Sequence, residues 1–323
     1  MSPEELRMRN AIVLAAGKGT RMHSDLPKVL HKIGDMPMAE LIVKNLKRCG
    51  AERIVTVVGY GREEVMKVLE GQCDFAVQEP QLGTGHAVMQ AKQLEGEKGI
   101  TLVVNGDAAT IQPETLSALY ESIETADMAV LTVKLEDAGA YGRVIRNEAG
   151  DVLKIVEFKD CSASERQVRE INTGIYAFRN EKLFEALGEL TDNNAQHEYY
   201  ITDLVEIFRR KGWRVTGVLA SDENEVQGVN DCYELARSNQ WLKEQINRKW
   251  LKAGVQMADA ETAYIGPFVT FGHDVELYPC VYLYGETVIG NNVTIMPGAF
   301  LRNVKAADGA VIAQGYYEDC ELS

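Results

Sequence analysis

The chain has 323 residues, 46% of them hydrophobic and 25% charged, with a formal net charge of -14. This is the composition of folded globular protein, which excludes disordered and collagen-like classes, and the acidic balance excludes a nucleic-acid polymer as partner because a polyanion needs a continuous basic face. No apolar run approaches the ~18 residues of a membrane helix, and the opening MSPEELRMRN places acidic residues where a secretory signal has its apolar core, so no membrane contact and a cytoplasmic location are expected.

Residues 11 to 135 alternate β-rich runs with amphipathic helical stretches. The strands are expected at Ala11 to Ala15, Arg53 to Val58, Asp74 to Gln78, Thr101 to Val104 and Met128 to Val133, and a helix at Pro37 to Arg48 has proline near its start and Gly50 near its end. This alternation predicts a doubly wound, mostly parallel α/β sheet of Rossmann-like kind. Ligands of such sheets sit at the carboxyl ends of the strands, so the loops after Ala15, Gln78 and Val104 should share one crevice. From Tyr141 the pattern changes. Arg143 to Arg146 and Val152 to Phe158 flank the turn-rich NEAGD as a hairpin, a β run covers Ile171 to Phe178, and a helix starts near Asp203, where Asp203 and Glu206 have capping-box spacing.

A longer helical segment, Asp231 to Lys252, leads to the tail. There Ile265, Phe271, Leu277, Leu283, Ile289, Ile295 and Leu301 recur every six residues, with small or β-branched residues four positions after each of the first six. A six-residue period indicates a hexapeptide β-helix, here a short left-handed parallel one of about three coils, since the register fades after Leu301. The expected organisation is an α/β domain over 8–230, a linking helix over 231–253 and the β-helix over 254–323. The six cysteines, Cys49, Cys73, Cys161, Cys232, Cys280 and Cys320, show no C-x-x-C spacing and read as reduced thiols.

The strongest local signal is LAAGKGTRMHSDLPKVLH, Leu14 to His31, directly after the first strand. Gly17 and Gly19 allow tight turns and close backbone approach, so that N–H groups can surround phosphate oxygens, and Arg21 and Lys28 add positive charge. The run fits neither the dinucleotide fingerprint, which has a third glycine, nor the Walker loop, which has Gly-Lys-Ser or Gly-Lys-Thr. Asp107 ends the fourth strand, where a carboxylate can meet a ligand or cap the following turn. On the residues alone, Gln78 reads as a buried structural amide and Glu157 as one position of an alternating, solvated strand. The histidines His23, His31, His86, His197 and His273 form no metal-ligand spacing and no nucleophile pair with a serine or cysteine.

Gly17-x-Gly-Thr-Arg-Met with Pro27-Lys28 resembles the signature of sugar nucleotidyltransferases. The segments QEPQLGTGHAV, NGD, YGRV, IVEFKD, EINTGIY, NNAQHEYYITD and EVQGVND follow in the order found in bacterial N-acetylglucosamine-1-phosphate uridyltransferase, the GlmU family, and the similarity extends into the hexapeptide tail. The resemblance implies an enzyme using UTP and a sugar-1-phosphate with Mg2+. Leu14, Ala15, Ala16, Gly17, Gly19, Gln78, Gly83 and Thr84 would hold the nucleotide, and Arg21, Lys28 and Asp107 would serve the reaction. The sugar side would be formed by Asn105, Gly106, Gly142, Glu157, Asn172 and Asn230, with Asp107 and Asn230 as metal ligands.

The attacking group is then an anionic phosphate oxygen, so no protein base is required. Two departures stand out. Relatives commonly show Tyr-Gly-Asp-Val-Pro-Leu where this chain has Asn105-Gly106-Asp107-Ala108-Ala109-Thr110, which bears on sugar identity and rate. Bifunctional relatives also carry a long β-helix housing a glucosamine-1-phosphate acetyltransferase. Acetyl transfer is therefore expected to be absent here, and the tail is expected to serve folding and self-association as a homo-oligomer, a trimer by resemblance.

Overall fold

The computed structural model describes residues 4–148, 150–194 and 196–323. They form two compact units: residues up to His31 with Met38–Cys232, and Lys32–Pro37 with Tyr233–Ser323.

The first unit is built on one nine-stranded sheet. Its strands are β1 (Arg9–Ala15), β2 (Arg53–Val58), β3 (Asp74–Val77), β4 (Ile100–Asn105), β5 (Met128–Lys134), β6 (Arg143–Arg146), β7 (Val152–Val156), β8 (Glu170–Arg179) and β9 (Val215–Leu219). The order along the sheet is β9-β5-β8-β4-β1-β2-β3, and the hairpin β6-β7 joins at β8. All neighbouring pairs on the main path are parallel except those of β8, which runs antiparallel to β4 and β5. Central strands of such a sheet are covered on both faces, so their sequences are continuous apolar runs rather than alternating ones. Ala11, Ile12 and Val13 of β1 and Leu102, Val103 and Val104 of β4 are accordingly inaccessible to solvent.

Helices α1 (Met38–Arg48) and α2 (Thr84–Met89) follow the first and third strands. Met38, Leu41, Ile42 and Leu46 of α1 are buried, while Glu40 and Lys44 pair across one turn at 3.7 Å on a more open side. Gly50, at φ 81°, ends this helix in the left-handed region. A helix also starts beside Asp203, at Leu204–Arg210, but the expected capping box is not made. Asp203 closes a 3-10 turn, Ile201–Asp203, with helical backbone angles, and its side chain accepts no capping bond. An N-cap needs extended geometry at that residue. Among the described residues no helix is long and apolar enough to cross a membrane.

The second unit contains the hairpin Lys32–Ile33 with Met36–Pro37, the helix α3 (Cys232–Lys252) and a left-handed parallel β-helix whose three sheets each hold four strands. Ile265, Leu277, Leu283, Ile289, Ile295 and Leu301 all point into its core, each at most 4% exposed. Four coils replace the three expected. The six-residue register breaks because corners of the third and fourth coils each lose a residue: Ile289 pairs with Ala306, Ile295 with Ile312 and Leu301 with Tyr317, each one or two residues early. The tighter corners use left-handed backbone at Asn303 and Asp319, residue types that tolerate it, and Asn303 Nδ2 donates to Asp319 Oδ1 at 2.9 Å. Tyr264, Tyr282, Phe300 and Tyr316 stack in a row along one face, with ring centroids 4.8, 6.1 and 4.7 Å apart in succession.

Candidate active site

The ends of β1, β3 and β4 shape the site. β1 runs out at Ala15 into a loop whose Gly17 has open space around its α-carbon, while Gly19 takes φ 63°. An added Cβ at Gly19 would overlap the Lys28 side chain, so the loop folds back onto Lys28 only because this residue is glycine. Gly106 N, after β4, donates to Leu14 O at 2.8 Å, and a side chain there would run into that carbonyl at the same distance. The Gly106 contact fixes the following residue, Asp107, beside the β1 loop.

Lys28 forms an ion pair with Asp107, both side chains being largely shielded. The same ammonium donates to Asn230 Oδ1 at 3.3 Å, and Arg21 Nη2 donates to that oxygen at 2.8 Å. Val229 N donates to Asp107 O at 3.1 Å, which holds the 228–230 stretch against the β4 loop. Arg21, Lys28, Asp107 and Asn230, drawn from three distant parts of the chain, thus meet around one point. Two oxygens of different segments reach a single cation there. A carboxylate and an amide carbonyl oxygen are hard donors suited to a small divalent cation that completes its shell with phosphate and water oxygens. Among the described residues no group of three His, Cys, Asp or Glu side chains is placed to hold a metal by itself.

Gln78 is buried just past β3. Its amide nitrogen donates to Gly83 O at 2.9 Å and lies 3.2 Å from His86 Nδ1, so this group is engaged inside the loop. Residues 82–85 are clasped by the segment around Tyr199. Tyr199 N donates to Leu82 O at 2.9 Å, Gly85 N to Tyr199 O at 2.7 Å, and Ile201 N to Thr84 Oγ1 at 3.2 Å. A side chain on Gly83 would come within 2.7 Å of Tyr199 O, and its φ of 105° excludes one in any case. Gln81 donates its amide to Ala16 O, which joins this loop to the end of β1. The contacts of residues 78–85 with Asp107, by contrast, are indirect, through β1.

Gly142, Glu157 and Asn172 form a third group, where β8 meets the β6-β7 hairpin. Asn172 N donates to Gly142 O at 2.9 Å, and a Cβ on Gly142 would lie 3.4 Å from Glu157 Oε1. The register of β8 slips between Asn172 and Tyr176, and this bulge turns the stretch out of the ladder. The Asn172 amide is held at both ends, donating to Tyr176 Oη at 2.7 Å and accepting from Gly174 N at 3.1 Å. Gly174 lies directly against the Asn105 amide, which links this group to the β4 loop. Burial pushes the Glu157 carboxyl above the usual range, and the nearby Asp160 and Asp203 carboxylates add to the shift. Asp203 is itself pushed up to about 6, chiefly by burial and then by Glu206 and Asp160.

Two polar residues at the site's margin escaped sequence reasoning. Thr110 and Glu225 are both buried and bond the 107–112 loop to the stretch that leads to Asn230. The only signal was that Thr110 replaces a leucine common in relatives. Ala108, Ala109 and Thr110 are each 1% exposed, so these three departures face the interior, and Asn105 is the one partly open to the crevice.

Residues 11–206 match the MobA-like NTP transferase domain. The bifunctional protein GlmU of Exiguobacterium sibiricum is 44% identical over 315 residues, covering 97% of this chain and 70% of that protein. Those of Geobacillus thermodenitrificans and Halalkalibacterium halodurans are 43% and 40% identical over 317 residues, covering 97% of this chain and 69% and 70% of theirs.

Proposed function

Because the chain belongs to the GlmU family and is a sugar-1-phosphate nucleotidyltransferase, we propose that it makes UDP-N-acetylglucosamine and pyrophosphate from UTP and N-acetylglucosamine-1-phosphate. The observation that carries this reading is the convergence of Lys28 and Arg21 with Asp107 and Asn230 at one point.

The sugar phosphate oxygen attacks the α-phosphorus of UTP, a phosphorus–oxygen bond forms, and the bond to the leaving pyrophosphate breaks. Both reactants are anions, so the chain's task is alignment and charge neutralisation. Lys28 and Arg21 offer cationic donors to the phosphates. Asp107 and Asn230 would hold Mg2+, which would supply the positive charge that offsets repulsion between the two anions. The loop from Leu14 to Gly19, including Ala15, Ala16 and Gly17, presents backbone to the nucleotide, and the clasped loop holding Gln78, Gly83 and Thr84 supplies a rigid wall for the base. Gly142, Glu157 and Asn172, together with Asn105 and Gly106, would line the sugar pocket, where a carboxylate accepts from hydroxyls and an amide reads the acetamido group. The interior placement of Ala108, Ala109 and Thr110 favours this sugar over another, because the altered side chains do not form the pocket wall.

The domain reading follows the same lines, with the transferase over 8–230, the linking helix over 231–253 and the β-helix over 254–323. The β-helix exposes Tyr316 and Val311, at 64% and 71%, on its coils, which supports self-association, as a trimer, through this part of the chain. The test is pyrophosphate release by the purified chain against a panel of triphosphates and sugar phosphates. UTP with N-acetylglucosamine-1-phosphate is expected to be the preferred pair by at least tenfold, or about 1.4 kcal/mol, in kcat/KM. Preference for another pair contradicts the substrate assignment, and no turnover with any pair contradicts the enzyme reading in favour of a nucleotide-sugar sensor.

A further inference from the structure

The segments that carry Asp107 and Asn230 are not strands of the sheet, and what ties them together is a small buried polar network. Thr110 is 1% exposed, and its hydroxyl lies 3.0 Å from Asn224 O and 3.1 Å from Glu225 O, to which its single proton is shared. Glu225 is 4% exposed; its Oε1 accepts from Gln112 N at 3.0 Å, and its carboxyl also accepts from the Thr115 side chain. Gln112 closes the loop on itself by donating its amide to Thr110 O at 2.6 Å. Three residues before Thr110 stands Asp107, and five after Glu225 stands Asn230. The Val229 N to Asp107 O bond lies between them.

We propose that Thr110 and Glu225 are positioning residues, a buried strap that holds the Asp107 loop and the Asn230 stretch in register so that their two oxygens meet one cation. The proposal rests on the reading of Asp107 and Asn230 as metal ligands. A glycine at 228 fits the same design: a Cβ there would lie 3.3 Å from Asp107 Oδ1, so the approach of the two stretches has no slack. Without the Thr110 hydroxyl, the buried Glu225 carbonyl and the half-buried Asn224 carbonyl lose this donor, and the natural relaxation is for the 224–230 stretch to lift away from the loop. The residues do not touch the reacting atoms. Their effect passes through the distance between the two ligands, and it should therefore appear in metal affinity and in the protection of Val229.

The test compares Thr110→Val, which keeps shape and removes the hydroxyl, with Thr110→Ser, which restores it, in the full chain. Amide hydrogen exchange is followed without metal, and Mn2+ binding is read by electron paramagnetic resonance in the presence of UTP. Thr110→Val is expected to speed exchange at Val229 about tenfold while the β1 and β4 amides stay as in the parent chain. Mn2+ affinity is expected to fall several-fold, and Thr110→Ser should return both readouts toward the parent values. Parent-like Val229 exchange and Mn2+ affinity in Thr110→Val would overturn the proposal. Glu225→Gln, a milder change that keeps an oxygen for Gln112 N, should shift both readouts the same way, and it decides the matter if Thr110→Val does not fold. Asp107→Asn separates the two claims: unchanged Mn2+ affinity there removes the ligand reading alone, and the Val229 exchange in Thr110→Val still decides whether the strap holds the segments.

Discussion

Lys28 Nζ lies 3.3 Å from Asn230 Oδ1 across 202 residues of chain, and the same ammonium is ion-paired with Asp107. Lys28 thus stands between the two oxygens proposed to hold the metal. Its charge keeps the Asp107 carboxylate and the Asn230 carbonyl oxygen facing inward.

Replacing Lys28 should therefore cost turnover more than stability. Lys28→Ala is expected to reduce kcat at least tenfold, about 1.4 kcal/mol of transition-state stabilisation. Steady-state kinetics at saturating substrates check this, and unchanged kinetics would make Lys28 a structural partner of Asp107 only.

Gly19→Ala places a methyl group at φ 63° and against the Lys28 side chain. The left-handed backbone alone costs about 1–2 kcal/mol for a residue with a Cβ. A thermal melt should show a modest loss of stability, and kinetics a larger loss of activity, because Lys28 must move to make room. A melt that drops with full activity retained would show that the loop geometry does not position Lys28.

The pH dependence of stability has a defined sign at Asp203. Its pKa is raised from 3.8 to about 6 in the folded chain, so the folded state holds more protons than the unfolded chain between those values. Stability from this group is present at low pH and is lost as pH rises through that window. Glu157, raised for the same reason, acts in the same direction. Asp203→Asn should flatten the stability profile between about pH 4 and about pH 6 and be more stable than the parent above it. Denaturant melts across that range measure it, and a parallel profile for mutant and parent would contradict the assignment.

Much of the fold was legible in the sequence, for a physical reason. Strands covered on both faces must be apolar throughout, and β2 was read at its observed bounds while β1, β4 and β5 came within one or two residues at each end. The hexapeptide period is equally direct, because each repeat but that of the half-buried Phe271 drives one side chain into the β-helix core. The fourth coil was hidden because losing one residue at a corner breaks a period without breaking the coil. The site was legible as a set of residues and illegible as a geometry. Nothing local says that Tyr199 clasps Gly83, that Ile201 N caps Thr84 from 117 residues away, or that Thr110 reaches Glu225. The Asp203 capping box failed because a spacing rule does not report the backbone angles that a preceding turn imposes.

The coils of the second unit lead to a prediction about assembly. Sedimentation at micromolar concentration should show a homo-oligomer, with a trimer as the expected species. A strict monomer would contradict the role assigned to the β-helix.

The central claim is that one metal-dependent site, held by Asp107 and Asn230, carries the reaction. Asp107→Asn preserves size and hydrogen bonding while removing the charge, and Asn230→Ala removes the amide oxygen. The most direct measurement is pyrophosphate release from UTP and N-acetylglucosamine-1-phosphate, titrated with Mg2+, for the parent chain and both variants. The expected result is a fall of about 10²-fold or more for Asp107→Asn, with a weakened Mg2+ response, and a smaller fall of the same kind for Asn230→Ala. Full Mg2+-dependent activity in both variants would contradict the claim.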